Sequence, residues 1–285
     1  MTLKPAQIVA LAGDVGSYKA GLRIPDFLVR GFMGGLFIAV GATFAIVCST
    51  GVEGPLGPGL KAMIAGAVFP VGLIAIVITG MSLFTSDTML IPVAAMQGKT
   101  SGRKIARCWL WVFVGNFAGS VFWALLMYWG PFRKYGTAEL SAFGQSAVAM
   151  AQLKVLPYAA AGSLGLGAAF AKGIACNILV NLAILLGLSA DNTTGKVLGM
   201  WFPIMAFVAC GFEHSVANMF IVPAGIMLGA GVTWTQFLVW NLLPVTVGNI
   251  VGGTIVVGGV YSYCFKGEIS STSHSPTALV GRKAA

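Results

Sequence analysis

Gly211-Phe212-Glu213-His214-Ser215 interrupts a long hydrophobic tract. Residues 198–212 run apolar up to it, and residues 215–229 run apolar away from it. If the flanking runs cross a bilayer, a carboxylate and an imidazole lie at membrane depth, where ionisable groups are costly. The stretch therefore reads as a helix broken mid-membrane, a place where freed backbone groups need polar partners. Pro223 falls within the second half of that broken helix.

A matching break stands in the first half of the chain. Gly80-Met81-Ser82-Leu83-Phe84-Thr85-Ser86 separates the apolar run 60–80 from the run 87–97, which contains Pro92. Each break is followed by a related motif. Val114-Gly115-Asn116-Phe117-Ala118-Gly119 follows the first, and Val247-Gly248-Asn249-Ile250-Val251-Gly252 follows the second. Ser86 to Gly115 is 29 positions and Ser215 to Gly248 is 33. Upstream, Arg30-Gly31 opens one span and Lys172-Gly173 sits early in its counterpart. The chain thus reads as two repeats, about 27–130 and 160–265.

About 20 apolar residues span a bilayer. Six spans are expected, near 27–50, 60–80, 105–130, 160–189, 198–212 and 234–263. Three spans per half is an odd number, so the halves insert with opposite topology. Inverted repeats with paired broken helices place a substrate path at the midplane. Twelve basic residues fall on one side (Lys4, Lys19, Arg23, Arg30, Lys99, Arg103, Lys104, Arg107, Lys196, Lys266, Arg282, Lys283), against Lys61, Arg133, Lys134 and Lys154 on the other. The positive-inside rule then puts both termini in the cytoplasm.

Composition agrees with a membrane protein. Only 9% of the 285 residues are charged and 57% are hydrophobic, where soluble domains carry about 25% charged residues. Mean hydropathy is +0.89. The net charge of +9 does not indicate nucleic-acid binding, because the basic residues are scattered among apolar segments. Cys48, Cys108, Cys176, Cys210 and Cys264 have no metal-ligand or redox spacing and are expected to be small buried hydrophobes. The first 25 residues hold Asp14 and no long apolar run, so no signal peptide is expected. Ile8, Leu11, Val15, Tyr18 and Leu22 recur at helical spacing. They predict an amphipathic helix at the membrane surface, within a segment 1–26 that precedes a channel domain at 27–266. The polar, Ser-rich tail 267–285 is expected to be disordered.

His214 is the foremost functional candidate, since histidine changes charge near neutral pH and can donate to an anion. The plainer alternative is a buried histidine that caps the broken helix. Glu213 is expected to accept hydrogen bonds from backbone N–H groups at the break. Thr85 and Ser86 offer hydroxyl donors, beside backbone N–H groups at a half-helix start. Capping of that half-helix by Ser86 or Asp87 is the alternative. Asn116, Asn177, Asn181, Asn218, Asn241 and Asn249 are amides at membrane depth that read as interhelical glue, with Asn177 the candidate for lining a path. No nucleophile–base pair, nucleotide loop or metal-ligand cluster stands out. An enzyme, a cofactor and a metal site are therefore not expected, and transport is passive or coupled to an ion gradient.

These residues together resemble the formate/nitrite transporter family. The resemblance runs from Val15 to about Phe265. It rests on Ser17-Tyr18-Lys19-Ala20, Leu83-Phe84-Thr85-Ser86, Cys176-Asn177, Gly211-Phe212-Glu213-His214-Ser215 and Asn241-Leu242-Leu243-Pro244-Val245-Thr246-Val247-Gly248-Asn249. Met81 and Asn181 depart from the family's usual small residue and Cys. The resemblance implies an all-α, aquaporin-like protomer of six spans, assembled as a homopentamer in a plasma membrane, with one pore per protomer. It implies a constriction of Phe69, Leu73, Leu83 and Phe207, with Leu83 and Thr85 in a cytoplasmic gating loop. His214 and Asn177 then lie at the centre, and Lys19 and Lys154 in the vestibules draw in anions. Formate leads as substrate, crossing in a proton-linked step, with nitrite or hydrosulfide as alternatives. A neutral-solute pore for water or a small alcohol is the alternative of another class. A membrane anchor for a redox enzyme is disfavoured by the single histidine at membrane depth.

Overall fold

Pro25 starts the first long helix, where a residue without an N–H leaves no intrahelical bond unmade. Asp26 follows in the same turn and pairs with Arg23 at 2.9 Å. The computed structural model describes residues 3–52, 57–135 and 137–272. The helices are α1 (Pro5–Ala20), α2 (Ile24–Ser49), α3 (Gly57–Val68), α4 (Val71–Thr79), α5 (Phe84–Met96) and α6 (Gly102–Trp129). They continue as α7 (Ala142–Ala160), α8 (Ser163–Ser189), α9 (Thr193–Ala209) and α10 (Ser215–Met227). The last, α11, runs from Trp234 to Thr272 and contains two π-helical segments, Leu238–Leu242 and Val251–Gly259.

Among the described residues, five helices are long and apolar enough to cross a membrane: α2, α3–α4 together, α6, α8 and α11. The expected fifth span, 198–212, is displaced toward the N-terminus as α9 and falls short of those five. α9 has 17 residues, because Gly211 turns the chain and α10 then starts afresh with 13. The architecture is an all-α multi-span membrane fold. Outward-facing apolar side chains fit that solvent: α6 buries Val112, Asn116 and Ala124 and turns Leu110, Val114, Phe122 and Leu126 outward.

Close helix packing depends on the repeated glycines. A side chain at Gly119 would strike the Phe32 carbonyl of α2, and one at Gly252 would strike the Ile174 carbonyl of α8. Small residues let backbones approach where no hydrophobic effect drives helices together. The α2–α6 pair in one half therefore has its counterpart in the α8–α11 pair of the other.

Two expectations need correction. Cys210 and Cys264 are exposed on the protomer, and Cys48 is partly so; only Cys108 and Cys176 are buried. The helix at the C-terminus continues to Thr272, so the first residues of the expected disordered tail are helical. The rest of that tail lies outside the described residues.

Candidate substrate path

Both breaks are built the same way. α4 ends at Gly80, whose φ of 75° lies in the left-handed region, and α9 ends before Gly211 at 68°. Only glycine adopts that conformation without a Cβ penalty. The next N–H in each case reaches back five residues: Met81 to the Ile76 carbonyl at 2.9 Å, and Phe212 to the Phe207 carbonyl at 3.0 Å. This is the terminal bond of a Schellman-type helix end. Leu83 and His214 then run extended before α5 and α10 begin.

One asparagine closes each break. Asn116 Oδ1 accepts the Phe84 N–H at 2.9 Å, and its Nδ2 donates to the Gly31 and Ser82 carbonyls at 2.7 and 3.0 Å. Asn249 Oδ1 accepts the Ser215 N–H at 2.9 Å, and its Nδ2 donates to the Gly173 and Glu213 carbonyls at 2.8 and 3.0 Å. Both side chains are fully buried. The capping expected of Ser86 or Asp87 is therefore absent. Ser86 Oγ donates back to the Leu83 carbonyl at 2.9 Å, and the Asp87 carboxylate binds Lys19.

The two breaks meet at their side chains. His214 Nε2 lies 2.9 Å from Thr85 Oγ1, and His214 Nδ1 accepts the Ala217 N–H at 3.0 Å. A backbone N–H can only donate, so Nδ1 carries no proton and the neutral ring holds its proton on Nε2. The ring therefore donates to Thr85 Oγ1, which leaves the threonine hydroxyl proton free for another acceptor. The capping expected as the plainer alternative is present, through Nδ1, while Nε2 faces Thr85. Phe207 stacks on the imidazole at 5.7 Å, and Phe69 meets Phe207 edge-on at 5.5 Å.

Two cavities approach this contact. The first, of about 500 Å³, is lined by Lys19, Arg30, Lys196, Met81 and Ser86 among others. The second, of about 570 Å³, is lined by Lys61, Lys154, Lys172, Phe69, Phe207 and His214 among others. No residue lines both. Leu73, Leu83 and Thr85 line neither and are at most 1% exposed, so apolar side chains and one hydroxyl separate the cavities. Asn177 sits behind this point. Its Nδ2 donates to the Thr85 carbonyl, Thr88 Oγ1 and the Asn249 carbonyl, and it lines neither cavity.

Lys19 and Lys154 each line a cavity, but neither charge stands alone. Lys19 Nζ is 2.6 Å from Asp87 Oδ1, and Lys154 Nζ is 3.1 Å from Glu213 Oε2. Glu213 differs from its expected role. Its carboxylate accepts from Tyr158 Oη at 2.8 Å and Asn218 Nδ2 at 2.8 Å, and from no backbone N–H. Sequence reasoning missed Tyr158, the pairing of Asp87 with Lys19 and the two breaks' shared asparagine clamp. The Val-Gly-Asn repeat was the available signal for Asn116 and Asn249. Asp87 and Tyr158 carried none, because their partners are 68 and 55 residues away.

The formate/nitrite transporter family profile matches residues 6–263. The "Probable formate transporter" of Methanothermobacter thermautotrophicus is 40% identical over 274 residues, covering 93% of this chain and 97% of that protein. Formate channel BtFdhC of Bacillus thuringiensis is 34% identical over 268 residues, covering 94% of this chain and 98% of its own. A solved pentameric formate channel with formate bound superposes with a TM-score of 0.74 at 34% identity, covering 85% of this chain and 98% of that one.

Proposed function

The chain belongs to the formate/nitrite transporter family, and from that premise we propose that it moves formate across a plasma membrane along a path centred on His214 and Thr85. It transports a small anion and is not an enzyme. The observation that carries the site assignment is the 2.9 Å contact between His214 Nε2 and Thr85 Oγ1. It joins the two helix breaks at the one place where basic cavities face each other across apolar side chains.

A bare anion entering the zone of Phe69, Leu73, Leu83 and Phe207 loses its hydration and meets no compensating charge. Burial of that kind favours the neutral acid over the anion. Formate therefore takes up a proton before it crosses. Sequence reasoning left two proton sources open, water or a network through His214. The geometry favours water. A neutral ring whose Nδ1 is occupied by the Ala217 N–H has no proton to give away except from Nε2, and losing that one would leave an imidazolate. Protonating Nδ1 first would break the cap of α10. His214 thus fixes the Thr85 hydroxyl as the donor that holds the acid, while the proton enters and leaves with the solute.

The two breaks, with their matched asparagine clamps, support six crossings in inverted halves, with α9 as the fifth crossing. With both termini in the cytoplasm, the side that carries twelve basic residues against four, the first cavity faces the cytoplasm and the second faces out. The assembly is a homopentamer, as in the solved relative.

Purified protein in liposomes loaded with a pH dye tests the reading, with formate, nitrite and hydrosulfide applied separately. Formate entry with internal acidification supports it. Faster nitrite or hydrosulfide entry keeps the path and replaces the substrate. Swelling with a neutral solute and no anion entry overturns it.

A further inference from the structure

Two cations occupy matching places that the path described above does not use. Arg30 is on α2, and its carbonyl accepts the Ser82 N–H of the first break at 3.2 Å. Lys172 is on α8, and its carbonyl accepts the Glu213 N–H of the second break at 3.3 Å. Their side chains reach opposite cavities, Arg30 the first and Lys172 the second. Each lies over a tyrosine ring: Arg30 Cζ is 5.7 Å from the Tyr18 centroid, and Lys172 Nζ is 5.6 Å from the Tyr158 centroid. Both tyrosines come from the helix that carries that cavity's paired lysine, Tyr18 beside Lys19 on α1 and Tyr158 one turn past Lys154 on α7.

The charge balance separates these cations from the lysines. Lys19 and Lys154 are 13% and 18% exposed and are each bound to a buried carboxylate. An ion pair presents little net field to an approaching anion. Among the described residues Arg30 and Lys172 form no ion pair with a carboxylate, although Asp26, bound to Arg23, is close enough to Arg30 to interact with it, and neither cation is buried. A tyrosine face attracts a cation through its quadrupole without neutralising it. Arg30 and Lys172 therefore contribute positive potential at each mouth that no ion pair cancels, beside Lys196 at the first and Lys61 at the second.

We propose that Arg30 and Lys172 are the anion-positioning residues of the two mouths, each braced on a tyrosine, and that Lys19 and Lys154 instead neutralise Asp87 and Glu213. The proposal rests on the reading of the chain as an anion transporter. It also makes the mouths chemically unequal. A guanidinium binds a planar carboxylate through two parallel N–H groups, whereas an ammonium acts as a point charge. The Arg30 mouth is matched to carboxylates, and the Lys172 mouth takes any small anion.

The test measures anion uptake into right-side-out and inside-out membrane vesicles at low and high ionic strength. Lys172→Gln is expected to raise the half-saturating formate concentration at the second mouth by about tenfold and to flatten its salt dependence, with the maximal rate kept. Arg30→Gln does the same at the first mouth. Lys172→Arg restores the parent behaviour. Arg30→Lys restores the salt dependence, but it restores the affinity for hydrosulfide better than that for formate. Half-saturation and salt dependence equal to the parent in both Gln variants overturn the proposal. So does a fall in maximal rate that Lys172→Arg does not reverse, which marks a structural role. A parent that passes none of formate, nitrite or hydrosulfide overturns the transport reading as well.

Discussion

His214 and Thr85, 129 residues apart in the chain, are joined by a 2.9 Å contact between Nε2 and Oγ1. The contact separates two jobs of the imidazole, since Nδ1 is committed to the Ala217 N–H. His214→Asn keeps a strong N-cap acceptor but withdraws the donor from Thr85. It is expected to fold like the parent and to lose formate flux by about tenfold or more, the equivalent of about 1.4 kcal/mol at the barrier. His214→Ala loses both functions, with about 1 kcal/mol less stability from the missing cap. Stopped-flow flux beside thermal melting in detergent separates the two. Full flux in the Asn variant would remove the imidazole from the path.

Thr85 makes the complementary case. Thr85→Ser keeps the hydroxyl that His214 fixes and is expected to retain most of the flux. Thr85→Val keeps the shape and removes the donor, at a cost of about 1 kcal/mol for one hydrogen bond, or roughly fivefold in rate. Equal rates in the two variants would mean that the hydroxyl does not touch the solute.

Proton-linked permeation carries a definite sign. At fixed total formate, lowering the external pH enlarges the neutral fraction, by about tenfold per unit well above a carboxyl pKa. Influx is therefore expected to rise steadily from pH 7.5 to 5.5 until diffusion limits it. Dye-loaded liposomes report this directly. A flat profile indicates a plain anion channel.

Much of this site was legible because a membrane sequence advertises its exceptions. Glu213 and His214 stand out against apolar neighbours, and the two Val-Gly-Asn motifs and the Arg30-Gly31 and Lys172-Gly173 pairs register the repeat. Each of those marks proves to be a hydrogen-bonding part of a break. What stayed hidden is pairing. Asp87 looked like a helix cap because aspartate favours that position, but its partner is Lys19 on a helix 68 residues earlier. The resemblance gave Lys19 and Lys154 as vestibule lysines but not the carboxylates they bind. The start of α9 was also hidden, since its first turn, Thr193-Thr194-Gly195-Lys196, is polar and the apolar run begins after it.

The asparagine clamps are expected to dominate stability. Asn116→Ala leaves the Phe84 N–H and two carbonyls without their partner, and Asn249→Ala does the same at the second break. A buried unsatisfied group costs about 1–3 kcal/mol, so each variant is expected to melt well below the parent in detergent. Asn116→Asp tests the geometry further. It keeps the acceptor for Phe84 but loses both donations, so it too is destabilised despite its similar shape. A melting point equal to the parent for both alanine variants would show that water replaces the clamp.

The Lys154–Glu213 pair gives the sharpest test of how charge is handled at membrane depth. Lys154→Met removes the cation but leaves a carboxylate that is 3% exposed, with only Tyr158, Asn218 and Asn241 to hold it. Removing one partner of a buried pair costs about 3–5 kcal/mol, mostly through the charge left behind. Replacing both partners removes that liability. Lys154→Met/Glu213→Gln is therefore expected to recover much of the stability lost by Lys154→Met, because the glutamine amide still accepts from Tyr158. Thermal melting of the parent, the two single variants and the double completes the cycle. A double variant less stable than Lys154→Met would mean that the Glu213 carboxylate still stabilises the protein without Lys154, through Tyr158, Asn218 and Asn241.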